Sequence, residues 1–128
     1  MNERGTKGED RAAIYIARLG YEILERNYFC RFGEIDIIAQ KDDILAFIEV
    51  KERSGRALYP GAQAVTVSKR RKIIKTASVY MSELEKDKAK DFQPRFDVLE
   101  ITSRDGSYTV DYIEGAFDTS CMPYSSIV

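Results

Sequence analysis

Apolar residues recur along this chain with two different periods, and the changes between them mark out its elements. From Lys7 to Leu19 the apolar positions Ala13, Ile16 and Ala17 return at helical spacing, and Gly20 supplies a C-terminal stop. Tyr21 to Tyr28 is charged but β-compatible and reads as a strand. Ile35 to Ala39 and Ile44 to Val50 are rich in isoleucine and valine, and the polar Gln40-Lys41-Asp42-Asp43 between them predicts a hairpin. Gly55, Pro60 and Gly61 make Ser54 to Ala62 a loop. Thr66 or Ser68 is placed to cap a long second helix with the core-facing stripe Ile73, Ala77, Tyr80, Met81 and Leu84. Pro94 precedes a strand over Phe96 to Thr102, Asp105-Gly106 is a hairpin turn, and Tyr108 to Ile113 returns. The order is α-β-β-β-α-β-β, which predicts an α/β sheet with helices packed on it and not a repeated βαβ array.

At 128 residues there is length for one core. A chain of this size buries roughly two-thirds of its unfolded surface and needs no disulfide or structural metal to fold. No apolar run approaches the roughly 20 residues of a membrane span, and the polar start Met1-Asn2-Glu3-Arg4-Gly5 carries no secretory signal, so a cytoplasmic protein is expected. Cys30 and Cys121 lie far apart without metal-ligand spacing and read as reduced thiols. With no histidine in the chain, imidazole-based triads and the usual catalytic zinc sites are excluded. Net charge is −1, from 20 basic and 21 acidic residues, so any nucleic-acid contact has to come from local clustering.

The predicted hairpin carries the candidate chemistry. With Lys41 opposite Ile44, counting outward pairs Ala39 with Ala46, Ile37 with Ile48 and Ile35 with Val50, a wholly apolar face that must be core. The other face pairs Ile38 with Phe47, Asp36 with Glu49 and Glu34 with Lys51. Like charges facing each other on adjacent strands repel, so Asp36 opposite Glu49 calls for a shared proton, a cation or a metal. Two carboxylates suit Mg²⁺ or Mn²⁺, which complete an octahedron with waters and substrate phosphate, and the carbonyl of Val50 is a further candidate ligand. Lys51, on the same face as Glu49, is positioned to orient a water or steady charge developing on a phosphate. This chemistry is phosphodiester hydrolysis. The plainer alternative is a solvent-facing strand pair with a Glu34–Lys51 ion pair, because the pattern Asp…Glu-x-Lys is weak on its own.

The run Phe32-Gly33-Glu34-Ile35-Asp36-Ile37-Ile38-Ala39 and then Phe47-Ile48-Glu49-Val50-Lys51-Glu52-Arg53 resembles the YraN-like family of uncharacterised bacterial proteins. So do Gly5-x-x-Gly8-Glu9-x-x-Ala12, Leu24-Glu25-Arg26-Asn27-Tyr28, Ala64-Val65-Thr66-x-x-Lys69, Arg95-Phe96-Asp97-Val98 and Tyr112-Ile113-Glu114-Gly115-Ala116-Phe117. The resemblance spans Gly5 to Asp118, which sets residues 1–118 apart as the domain and 119–128 as a C-terminal tail or interface segment. That family is similar to the restriction-endonuclease-like PD-(D/E)xK superfamily, in a layout like that of archaeal Holliday-junction resolvases. The resemblance implies a central mixed β-sheet flanked by helices, with Asp36, Glu49 and Lys51 in the places of the superfamily's acidic pair and lysine. Ile35 stands where the motif's name has proline.

Glu9 shares a helical face with Ala13, Ile16 and Ala17 and is expected to point inward, and the resemblance implies a place for it beside the metal. An ordinary first-turn acid, stabilised by the helix dipole, is the alternative. Lys69, Arg70, Arg71, Lys72 and Lys75 crowd the start of the second helix, where cations oppose the dipole, so a DNA or RNA backbone seat is the sharper reading and a solvated face the plainer one. Arg53 and Arg56 extend that track, Gln63 is a supporting site candidate, and Tyr59 is a candidate base-stacking residue or a packed loop aromatic. Three functions compete: a Mg²⁺- or Mn²⁺-dependent nuclease on DNA, with branched or flapped forms in view; a nucleic-acid-binding adaptor of nuclease fold that no longer cuts; and a protein-interaction domain. Nothing reads bases, which favours backbone or shape recognition over sequence specificity, and DNA is expected as the partner ahead of RNA. A homodimer, as in similar resolvases, would let a near-neutral chain grip two duplex arms.

Overall fold

The computed structural model describes residues 7–54, 65–87 and 91–122. Arg56, Tyr59, Gln63 and most of the Ser54–Ala62 loop lie outside them. The elements are α1 (Lys7–Arg18), β1 (Glu22–Cys30), β2 (Gly33–Lys41), β3 (Ile44–Ser54), α2 (Val67–Asp87), β4 (Gln93–Arg104) and β5 (Ser107–Phe117), followed by a 3-10 turn over Thr119–Cys121. The strands form a five-stranded sheet in the order β1-β2-β3-β4-β5. Only β3 and β4 run parallel, joined by the crossover through α2, so the sheet is mixed as expected.

The first helix ends as its sequence requires. Gly20, at φ +99°, turns the chain while its N–H and that of Tyr21 donate to the carbonyls of Ala17 and Ile16 at 3.0 and 3.3 Å. That is the double closure of a Schellman end, and the buried Ile16 and Tyr21 supply its hydrophobic contact. The inward stripe of α1 is Gly8, Ala12 and Ile16, with Ala13 at its margin and Ala17 exposed. The expected stripe of Ala13, Ile16 and Ala17 is therefore rotated. Alanines are too small to distinguish two neighbouring faces by hydrophobicity, and docking on the sheet chooses between them.

Each face of the sheet holds its own core. On one, α1 covers Ile37, Ala39, Ala46, Ile48, Val50, Leu99 and Ile101. On the other, α2 packs Ile73, Ile74, Ala77 and Tyr80 over Ile38, Leu45, Phe47, Phe96 and Val98, with Met81 and Leu84 partly buried. Burying each large side chain contributes about 1.5–3 kcal/mol, so the two central strands anchor both layers.

The β2–β3 register runs Lys41↔Ile44, Ala39↔Ala46, Ile38↔Phe47, Ile37↔Ile48, as alternation predicts, and stops there. The counted pairs Ile35–Val50, Asp36–Glu49 and Glu34–Lys51 lie beyond the ladder. Ile35 accordingly joins the α2-side core instead of sharing a face with Ile37. Opposite this point in β1, Asn27 takes a left-handed backbone, φ 52°, and is buried. A residue of that conformation inside a strand breaks the two-residue alternation.

Candidate active site

Where the backbone ladder between β2 and β3 ends, a carboxylate takes over. The amide of Val50 donates to Asp36 Oδ2 at 2.8 Å. Asp36 and Glu49 are 8% and 7% exposed, so two acids sit together with little water. Burial first, then the hydrogen bond and negative charge of Glu49, push the Asp36 carboxyl up to about 8, against the weaker opposing pull of the Val50 amide and Lys69. Asp36 thus holds its proton more tightly than an ordinary carboxyl.

A cation from α2 reaches this pair. Lys69 Nζ lies 3.2 Å from Glu49 Oε2, an oxygen that is buried and accepts no directed hydrogen bond among the described residues. Lys69 is fixed from behind: its N–H donates to the Thr66 hydroxyl at 3.2 Å, and the Arg70 N–H donates to the Thr66 carbonyl at 2.8 Å, so Thr66 is the N-cap. A cleft of about 390 Å³ opens here, lined by Glu34, Asp36, Glu49, Thr66, Lys69 and Lys72 among others.

The other candidates divide clearly. Lys51, on β3, pairs in register with Glu100 of β4 and is not among the cleft-lining residues. Glu9 is half-buried on α1, the helix of the opposite sheet face, and does not line the cleft. Val50 belongs to the α1-side core and reaches the site through its amide. Arg53 bonds Glu100 at 3.2 Å with side chains only 10% and 17% exposed, so its guanidinium holds β3 to β4. Arg70 donates to the Val65 carbonyl at 2.8 Å and lies over the Phe117 ring, while Arg71 donates to the Cys121 carbonyl at 2.8 Å. These two arginines fasten the segment after β5 to α2, and Met122 enters the α2-side core beside them. The basic cluster therefore splits, with Lys69 and Lys72 facing the cleft. Lys75 turns toward the ring of Phe32 instead, at 5.8 Å. Among the described residues no three acids, cysteines or histidines gather closely enough to form a metal cage.

A second polar centre lies on the α1 face, around Asp97, which is fully buried. Arg95 donates to both its oxygens at 2.9 Å, the Gly115 amide donates at 2.9 Å, and the Tyr112 hydroxyl makes a short hydrogen bond to it. Burial and the Asp97 charge raise the Tyr112 phenol well above its ordinary range. The register of β4 and β5 shifts between Phe96 and Val98, and Gly115, at φ +61°, sits in the extra length opposite. Asp97 therefore closes a β-bulge. The available signal was an Arg-x-Asp pair, on one strand face, inside an otherwise apolar run.

Comparison with known proteins follows the same span. The model of the uncharacterised protein family UPF0102 matches residues 8–101. A UPF0102 protein of Myxococcus xanthus is 36% identical over 119 residues, covering 91% of this chain and 90% of that protein. One from Clostridium botulinum strain Loch Maree is 44% identical over 115 residues, covering 88% and 92%. Extending over nearly the whole length of both partners, these matches establish that the chain belongs to the UPF0102, or YraN-like, family.

Proposed function

We propose that this protein is a Mg²⁺- or Mn²⁺-dependent nuclease that hydrolyses phosphodiester bonds in DNA, with branched or flapped DNA as its preferred substrate. The observation that carries this reading is the buried Asp36–Glu49 pair, which opens into a cleft rimmed by Lys69 and Lys72. Two carboxylates with an undirected buried oxygen fit a hard divalent ion, which takes one or two protein carboxylates and fills its remaining positions with water and phosphate. Asp36 and Glu49 would hold that ion, which supplies a polarised phosphoryl oxygen and a water of lowered pKa. The Val50 amide keeps Asp36 oriented. Lys72, one turn beyond Lys69, draws the phosphate backbone toward the acids. Lys51 and Glu9 remain candidates for supporting roles, Lys51 from the same strand as Glu49. In this reading the protein works in the cytoplasm, on DNA rather than RNA, and a homodimer grips two duplex arms.

The test is cleavage of labelled single-stranded, duplex, flap and four-way-junction DNA with Mg²⁺ or Mn²⁺, beside Glu49→Ala, Lys51→Ala and an EDTA control. Metal-dependent cutting that Glu49→Ala abolishes supports the enzyme. A wild type that cuts nothing, and whose melting temperature Mn²⁺ does not raise, refutes it.

The second reading, a nucleic-acid-binding adaptor of nuclease fold, is favoured by one observation: Lys51 is not among the residues lining the cleft. Steeply salt-dependent DNA binding without cleavage would select it.

A further inference from the structure

We propose that Lys69 is the resident counter-cation of the Asp36–Glu49 site: it occupies Glu49 while the protein is metal-free and moves to the DNA phosphate when a divalent ion binds. This rests on the nuclease reading and deepens it, since it assigns the site's working cation to α2.

Three features carry the inference. First, position: Lys69 stands in the first turn of a 21-residue helix with no acidic residue in that turn. A cation there opposes the helix dipole by about 0.3–1 kcal/mol, and its contact with Glu49 provides the offset. Second, the strength of the hold: Nζ is 3.2 Å from Glu49 Oε2, yet that oxygen accepts no directed hydrogen bond among the described residues. The contact is a Coulomb pairing, held without the hydrogen bonds that make a buried ion pair hard to open. Third, mobility: the Lys69 side chain is 49% exposed against 7% for Glu49, so its ammonium moves into water without desolvation cost while the acid stays in place. Cation and metal thus compete for one carboxylate. A released Lys69 stays on the cleft rim, next to Lys72, where a phosphate bound at the acids would meet it.

The experiment measures Mn²⁺ binding to the full chain by calorimetry, without nucleic acid, for wild type, Lys69→Met and Lys69→Arg. Removing a unit charge at this distance from a buried acid pair that opens into a solvent-filled cleft should tighten Mn²⁺ binding roughly tenfold in Lys69→Met, and Lys69→Arg should remain near wild type. In a second measurement, binding of a duplex oligonucleotide in the presence of Ca²⁺, Lys69→Met should reduce the slope of log affinity against log salt by about 0.9, one phosphate contact. Equal Mn²⁺ affinity in wild type and Lys69→Met overturns the inference and leaves the nuclease reading standing. Absence of Mn²⁺ binding in all three proteins, each with a cooperative thermal transition, overturns both.

Discussion

The Val50 amide donates to Asp36 Oδ2 at 2.8 Å, at the place where the hydrogen-bond ladder of β2 and β3 runs out after Ile37 and Ile48. A strand amide that has lost its carbonyl partner would be left unsatisfied in a buried setting, and the Asp36 carboxyl satisfies it. The same contact points Asp36 toward Glu49, so the end of the ladder and the start of the site are one structural event.

Asp36 should make metal-free stability depend on pH. Its carboxyl is pushed up to about 8, so the folded state binds this proton more tightly than the unfolded chain. Stability from this group is complete below about pH 4, the ordinary carboxyl range, and is lost as pH rises through the folded value. Thermal melts in EDTA should show wild type losing about 4 kcal/mol between pH 5 and pH 8.5, since each pH unit up to the folded value removes about 1.4 kcal/mol. Asp36→Asn should be nearly flat across that interval and more stable than wild type at its upper end. Parallel curves for the two proteins would show that Asp36 does not hold the proton.

Mn²⁺ should reverse that dependence. Binding to the acid pair expels the Asp36 proton, so the melting temperature gained from a fixed Mn²⁺ concentration should increase from pH 6 to pH 8. Glu49→Ala should lose the gain at every pH, and EDTA should restore the metal-free curve. A gain that survives in Glu49→Ala would place the ion elsewhere.

Asp97→Ala should cost stability without touching the site. It leaves Arg95 without its bidentate partner and the Gly115 amide unbonded. Breaking a buried ion pair from one side typically costs about 3–5 kcal/mol, which urea unfolding would register. Mn²⁺ affinity, measured where the variant is still folded, should remain within about twofold of wild type: Asp97 is in register with Ile48, beside Glu49, but its side chain bonds Arg95 and Tyr112 on the α1 face while Glu49 opens into the cleft on the α2 face.

Lys72 and Arg71 are neighbours in sequence and should behave differently. Lys72→Ala should weaken duplex binding uniformly across sequences and lower the salt slope by about 0.9. Arg71→Ala removes the bond to the Cys121 carbonyl; it should cost about 1 kcal/mol of stability and leave the slope unchanged. Equal slopes for the two variants would mean that the division of the basic cluster is wrong.

Much of this was legible along the chain. Alternation over Ile35–Ala39 and Ile44–Val50, with a polar turn between, allowed only one register that buries apolar faces, and Ile37↔Ile48 and Ala39↔Ala46 pair accordingly. Thr66 or Ser68 announced the start of α2, with the structure choosing Thr66 as the cap, and Asp105-Gly106 announced the last hairpin. Strand ends were less legible: β4 starts at Gln93, ahead of Pro94, and β5 continues past the bulge to Phe117. Neither extension carries a periodic signal, because each depends on the neighbouring strand.

Local pattern therefore determined the elements, their order, the β2–β3 register and the family, since each follows from contacts within a few residues or from ordered motifs. Which face of α1 meets the sheet, which cations reach the acids and what Asp97 closes were settled only by packing. Alternation cannot be extrapolated past the end of a ladder, where Ile35 changes core and Asp36 turns to the Val50 amide. Nor does it foresee that the crossover from β3 through α2 lays Lys69 on Glu49 while Lys51 remains outside the cleft. Those juxtapositions join distant parts of the chain, and burial rather than spacing gives them their chemistry.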